Sequence, residues 1–86
     1  MNKDDVRNKV KTIFESIKKF DASNETESLF GKRLNFTSAD AAYALIRIER
    51  DFQLNIQQLI DTIENKRRGF SLQVIVESIY DIIELA

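Results

Sequence analysis

The chain has 86 residues, of which 43% are hydrophobic and 31% charged, with a formal net charge of -1, and this composition supports one modest core in a single domain over residues 1–86. It contains no cysteine and no histidine, which excludes disulfide bridges and thiolate zinc sites and removes the usual general base and covalent nucleophile. We therefore expect neither an enzyme nor a metal-binding protein.

The first helix is predicted within residues 1–20. Apolar residues recur there at helical spacing, and lysines and acidic residues between them would face water. The predicted buried stripe consists of Val6, Val10, Ile13, Phe14, Ile17 and Phe20. The same segment has six basic and three acidic side chains, a local balance of +3.

A long loop is predicted after the first helix. Residues 21–28 are polar and lack any periodicity. Apolar residues follow, and we expect them to hold the connection against the core. These residues are Leu29, Phe30, Leu34 and Phe36.

The most informative segment is residues 34–40, Leu-Asn-Phe-Thr-Ser-Ala-Asp. Thr37 has the side chain of an N-cap, and Asp40 lies three residues later, which predicts a capping box at the start of helix two. Ser38 then becomes the first helical residue, with its hydroxyl facing outward. A phosphate on this hydroxyl would lie near the positive end of the helix dipole. Asn35 tolerates a left-handed backbone conformation.

The second helix is predicted to run to about Phe52, with one buried and one exposed face. The buried face is expected to contain Ala41, Leu45, Ile48 and Phe52. The opposite face is expected to contain Asp40, Tyr43, Ala44, Arg47, Arg50 and Asp51. We assign partner binding to four of these: Asp40, Tyr43, Arg47 and Arg50.

Two further helices are predicted in the C-terminal part. A short third helix spans residues 56–63, and a solvated loop follows at residues 65–69. Ser71 is a suitable N-cap for the fourth helix. Its buried stripe is expected to be Leu72, Ile75, Val76, Ile79 and Ile83. The predicted fold is therefore all-α, a four-helix bundle with a long loop between helices one and two and a short third helix.

Contact with membranes or nucleic acid is not expected. No segment approaches the roughly 20 consecutive apolar residues of a membrane span, and the N-terminus is too charged for a secretory signal. We therefore expect a cytoplasmic protein. Lys66, Arg67 and Arg68 form a short basic run without a wider basic face, which is a weak electrostatic signature of nucleic-acid binding.

Residues 34–40 resemble the L-G-x-D-S-L-D signature of acyl and peptidyl carrier proteins, in which the serine bears 4′-phosphopantetheine. The resemblance continues without a gap. Residues 48–52, Leu54 and Ile56 fall where that family has an acidic helix end followed by F-x-I-x-I. Residues 70–73 fall where its last helix begins.

This resemblance implies a carrier-protein bundle in which Ser38 bears the phosphopantetheine arm. A phosphopantetheinyl transferase would attach the arm, and enzymes that load acyl or aminoacyl groups and use them downstream would be the other partners. The cargo would be an acyl, aminoacyl or peptidyl thioester on a monomeric carrier. Residues 29–31 and the altered signature are similar to acyl carrier-related proteins of bacterial peptide-maturation (bacteriocin-type) gene clusters.

The chain also departs from the family signature. Thr37 replaces the usual aspartate, Ala39 the usual leucine and Asn35 the usual glycine. Thr37 keeps the capping role but lacks the carboxylate that helps the transferase engage its substrate in that family. An alternative is therefore a carrier-like adaptor subunit that binds partner enzymes without an arm. An unrelated helical interaction domain is a third possibility.

The predicted recognition helix has an unusual charge pattern. Arg47 and Arg50 stand where carrier proteins often have carboxylates or neutral residues. A reversed sign at exposed positions changes partner specificity and association rate more than it changes the fold. We therefore expect a dedicated partner in a specialised peptide-maturation or natural-product pathway.

Overall fold

The computed structural model describes residues 2–85, with side chains described up to Glu84, and the two terminal residues of the predicted 1–86 domain lie outside this range. Within the described residues the chain is all-helical, and four helices pack into a small bundle. They are α1 (Lys3–Ile17), α2 (Ser38–Phe52), α3 (Ile56–Lys66) and α4 (Leu72–Leu85). The predicted four-helix bundle, its long α1–α2 loop and its short third helix are confirmed.

Helix α4 packs against both α1 and α3. Its buried residues cover more of its circumference than a single apolar stripe, so it contributes to the core on a broad face. They are Leu72, Val74, Ile75, Val76, Ser78, Ile79 and Ile82. Ile83 was predicted to be buried but is only partly so. None of the four helices within residues 2–85 has the length and apolar composition needed to cross a membrane.

Polar side chains cap the helix starts. Asn2 caps α1, and Asn55 Oδ1 accepts from the Gln58 backbone N–H at 3.0 Å at the start of α3. Ser71 Oγ accepts from the Val74 backbone N–H at 3.3 Å, which confirms the predicted N-cap of the fourth helix. These contacts satisfy N–H groups that have no partner within their own helix.

Helix α3 is about one turn longer than predicted, because it continues to Lys66. It ends at Arg67, which adopts a left-handed conformation with φ 54°. The basic run is not simply solvated: Lys66 Nζ lies 2.6 Å from Asp81 Oδ2 on α4, and Arg68 pairs with Glu77 on the same helix. These ion pairs weaken the local positive potential that nucleic-acid binding would require.

The α1–α2 loop is attached through its backbone to the segment that precedes α4. The Leu29 N–H donates to the Phe70 carbonyl at 2.8 Å, and the Phe36 N–H donates to the Leu29 carbonyl at 2.9 Å. Phe20 belongs to this loop rather than to α1, and its ring meets Phe36 edge-on at 5.1 Å. The predicted apolar stripe of helix one therefore continues into the loop.

Glu25 fixes the polar part of the loop. Its carboxylate accepts from Arg7 Nε at 2.9 Å and lies 2.8 Å from Lys11 Nζ, both on α1. Its backbone carbonyl accepts from the Gln73 N–H at 2.9 Å. Burial opposes ionisation of Glu25, but hydrogen bonds from Lys11 and Arg7 outweigh burial and keep its pKa below the ordinary value.

Helix α2 begins at Ser38 and ends at Phe52, as predicted. Its buried residues are Ala41, Ala44 and Ile48. The placement of Ala44 on the outward face was wrong, since this side chain is fully buried. Leu45 and Phe52, predicted to be buried, are only partly buried. The buried face is thus rotated toward Ala44, because α2 packs against both α1 and α3.

Candidate functional site

Ser38 is exposed at the first position of α2. The backbone around it is fixed by reciprocal hydrogen bonds. Thr37 Oγ1 accepts from the Asp40 N–H at 3.1 Å, and Asp40 Oδ2 accepts from the Thr37 N–H at 3.0 Å. The predicted capping box is therefore confirmed. It holds the start of α2 in place while leaving the Ser38 hydroxyl at the surface.

The segment that enters α2 makes a left-handed turn at Asn35, where φ is 55°. Its N–H donates to the Gly31 carbonyl at 2.7 Å, and its carbonyl accepts from Lys18 Nζ. The Lys18 ammonium also lies 4.7 Å from the centroid of the Phe36 ring. Asparagine is well suited to this conformation. A cation is therefore held beside the entry to α2.

Asp40 remains ionised to lower pH than an ordinary aspartate. The Thr37 backbone N–H, which donates to the carboxylate, is the main cause of its lowered pKa. The Thr37 side chain and the nearby Lys18 charge act in the same direction, and desolvation opposes them. The carboxylate therefore caps α2 in its charged form at neutral pH.

Replacing Asp40 by alanine should lower stability in a pH-dependent manner. The folded-state pKa of Asp40 lies below that of an ordinary aspartate, so the stabilisation from Asp40 is fully present above the ordinary value and disappears as the pH falls through the folded-state pKa. The difference in thermal midpoint between wild type and Asp40→Ala should be largest at neutral pH and shrink in acid. A difference that grows in acid would contradict this role.

An apolar groove lies between α2, α3 and the α1–α2 loop, and we call it the α2–α3 groove. It consists of a cavity of about 230 Å³ and an adjoining one of about 500 Å³ that share Phe30, Ile63, Glu64 and Phe70. The other lining residues are Ser28, Ala41, Leu45, Ile60, Arg67 and Gly69. Phe30 was predicted to pack into the core, but its side chain is 48% exposed.

Ser38 lies on the same side of α2 as this groove. Ala41 and Leu45 follow it by three and seven residues, a spacing that places the three side chains on one helical face. Leu45 is only about 10 Å from Ser38 along the helix axis at 1.5 Å rise per residue. A group attached to the Ser38 hydroxyl would therefore start at one end of the α2 wall of the groove.

The four predicted partner-binding residues differ in their surroundings. Tyr43 is 54% exposed, and Arg50 is exposed about two turns further along α2. Asp40 is engaged in the capping box. Arg47 is half-buried, because its Nη1 donates to Ser16 Oγ of α1 at 2.9 Å. The structure therefore brings Tyr43 and Arg50 to one exposed face but turns Arg47 toward α1.

Sequence reasoning missed Ile46, which is 57% exposed on the same face as Tyr43 and Arg50. The three residues are spaced by three and four positions, so they lie next to one another on the helix surface. The available signal was an isoleucine outside the buried stripe. An exposed aromatic residue, an exposed aliphatic residue and a cation give this face the composition of a protein contact surface.

Neither protein-family models, nor curated proteins, nor solved structures give a match to this chain. The carrier-protein resemblance therefore stays a prediction from residues 34–40, 48–52 and 70–73. The structure contributes three further observations: the exposed Ser38 hydroxyl, the capping box and the adjacent groove.

Proposed function

We propose that the chain is a carrier protein that presents an acyl, aminoacyl or peptidyl thioester on a 4′-phosphopantetheine arm at Ser38. The observation that supports this best is the position of the exposed Ser38 hydroxyl on the same face of α2 as the apolar groove. The pathway would be a specialised peptide-maturation or natural-product pathway of the cytoplasm, in which the carrier acts as a monomer.

The residues around Ser38 fit the proposed group. A phosphodiester on the hydroxyl would lie at the positive end of the α2 dipole. The Lys18 ammonium lies close enough to lower the pKa of Asp40, two residues further on, and so adds positive potential. When bound, the arm supplies a thiol that holds the cargo as a thioester. The capping box holds Ser38 in place, and the groove shelters apolar cargo from water.

The composition of the chain also supports a carrier whose partner enzymes perform the catalysis. The chain has no histidine and no cysteine, so the catalytic groups would belong to the partner enzymes. Tethering a cargo raises its effective concentration at each partner active site without any catalytic group on the carrier. The exposed face with Tyr43, Ile46 and Arg50 would dock these partners.

A transferase assay tests the proposal. Incubation with coenzyme A and a broad-specificity phosphopantetheinyl transferase should add one phosphopantetheine, seen by intact-protein mass spectrometry. Ser38→Ala should abolish the addition and keep the helical circular-dichroism spectrum. Ser23→Ala, which changes an exposed serine elsewhere in the α1–α2 loop, should be modified like wild type. Thr37→Asp should speed the reaction, because it restores the family carboxylate and remains a good N-cap.

The second candidate is an adaptor that binds partner enzymes without an arm. Thr37 in place of the family aspartate favours it, and so do the exposed side chains of Tyr43 and Ile46, which suit protein binding with or without an arm. If several transferases left wild type and Thr37→Asp unmodified, the carrier proposal would be refuted and the adaptor favoured.

A further inference from the structure

The α2–α3 groove has an aromatic wall. The rings of Phe30 and Phe70 are stacked, with centroids 4.9 Å apart and an interplanar angle of 17°. Phe30 lines both cavities of the groove and remains 48% exposed. An exposed, nearly parallel aromatic pair offers a flat surface on which another ring can pack by stacking or edge contact.

The remaining floor of the groove is aliphatic. Ala41 and Leu45 come from α2, and Ile60 and Ile63 come from α3. Leu45 and Ile60 are only partly buried, so their apolar surface is available to a ligand. Covering such surface is favourable because it removes it from water.

Two opposite charges line the groove beside the aromatic wall. Glu64 borders both cavities, and Arg67 borders the larger one. Within residues 2–85 neither side chain forms an ion pair, whereas the neighbouring Lys66 and Arg68 are paired with acidic residues of α4. An anion and a cation, three positions apart, are therefore available to bind a ligand.

We infer that the α2–α3 groove binds an aminoacyl group with an aromatic side chain. The ring would pack against Phe30 and Phe70, the α-ammonium would pair with the Glu64 carboxylate, and the acyl carbonyl oxygen would accept from the Arg67 guanidinium. The further step, that this group is the cargo carried by Ser38, rests on the proposed carrier function. The binding preference of the groove is independent of that function.

Charge complementarity distinguishes this ligand from a plain fatty acyl chain. An alkyl chain would cover the apolar floor but give neither Glu64 nor Arg67 a partner. Moreover, Phe30 and Phe70 line both cavities, of about 230 and about 500 Å³. These volumes leave room for an aromatic ring beside the pair.

Binding of small esters to the unmodified chain tests the inference. Phenylalanine methyl ester has the ring, the ammonium and an acyl carbonyl. Methyl 3-phenylpropanoate lacks only the ammonium, and alanine methyl ester lacks only the ring. In ¹⁵N NMR titrations, phenylalanine methyl ester should bind most tightly of the three. Its largest shifts should fall on amides of residues 28–30 and 60–70.

Glu64→Gln should weaken binding of phenylalanine methyl ester by about three- to fivefold, the upper range for an exposed ion pair, and leave methyl 3-phenylpropanoate unaffected. Asp61→Asn is the matched control, because it removes the same charge one turn earlier on α3, outside the groove lining. Asp61→Asn should bind both phenyl esters like wild type.

Equal affinity for the two phenyl esters, tighter binding of methyl hexanoate, or shifts outside the groove would overturn the inference. The titration uses unmodified protein, so its outcome is independent of modification at Ser38. If the groove binds phenylalanine methyl ester but no transferase modifies Ser38, only the carrier proposal is refuted. If Ser38 is modified but the groove binds no ester, only the preference for an aromatic aminoacyl group is refuted.

Discussion

Replacing Phe14 by alanine should lower the free energy of unfolding by about 3–5 kcal/mol, the usual range for truncating a buried phenylalanine. Phe14 is fully buried on α1. Its ring meets Phe36 edge-on with centroids 5.3 Å apart, and it meets Phe70 at 6.3 Å. This side chain therefore joins α1 to the α1–α2 loop and to the segment that begins α4, and its loss leaves a cavity where the three meet.

The cost is large compared with the total stability of so small a domain, which is roughly 4–13 kcal/mol at the usual values per residue. Urea unfolding followed by circular dichroism would measure it. Phe52→Ala is the matched control, because it removes the same side chain from a half-buried position and should cost less than half as much. Equal costs would contradict the central position of Phe14.

Ala44→Glu should be similarly destabilising, by about 3–5 kcal/mol, because it places an unpaired charge in the core. Ala44 is 0% exposed on α2. Ala42, two residues earlier on the same helix, is exposed. Ala42→Glu should therefore change stability by only about 0.5 kcal/mol or less.

Both variants can be compared by the same urea unfolding experiment. The pair tests the rotation of α2 about its axis, because the same glutamate is introduced on opposite sides of one helix. The sequence pattern predicted Ala44 on the outward face, and that orientation would make Ala44→Glu only mildly destabilising. If Ala44→Glu unfolded at nearly the same urea concentration as Ala42→Glu and wild type, the predicted orientation of α2 would be restored.

The orientation of α2 also decides which side chains could take part in the proposed partner docking. With Ala44 buried and Arg47 turned toward Ser16 of α1, the outward surface consists mainly of Tyr43, Ile46 and Arg50. Such a surface would bind a partner through apolar contacts at its centre and through Arg50 at its edge. It differs from the carboxylates or neutral residues that carrier proteins often have on this helix, so under the proposed function the partner would be a dedicated one.

The sequence by itself determined the features that depend on local contacts. Thr37 and Asp40 set the start of α2 within four residues, because a capping box needs only neighbouring backbone N–H groups. The N-cap at Ser71 is equally local, and Asn35 is a residue that tolerates the left-handed conformation found there. For the same reason Ser38 could be placed at an exposed first helical position before any tertiary contact was known.

Only the tertiary structure decided the features that depend on distant residues. Ala44 is buried and Phe30 exposed because neighbouring elements determine which part of an amphipathic surface is covered, and α2 packs against two helices at once. The end of α3 at Lys66 coincides with an ion pair to Asp81, fifteen residues away. The α2–α3 groove likewise exists only where the α1–α2 loop meets both helices, and no local pattern in the chain encodes that meeting.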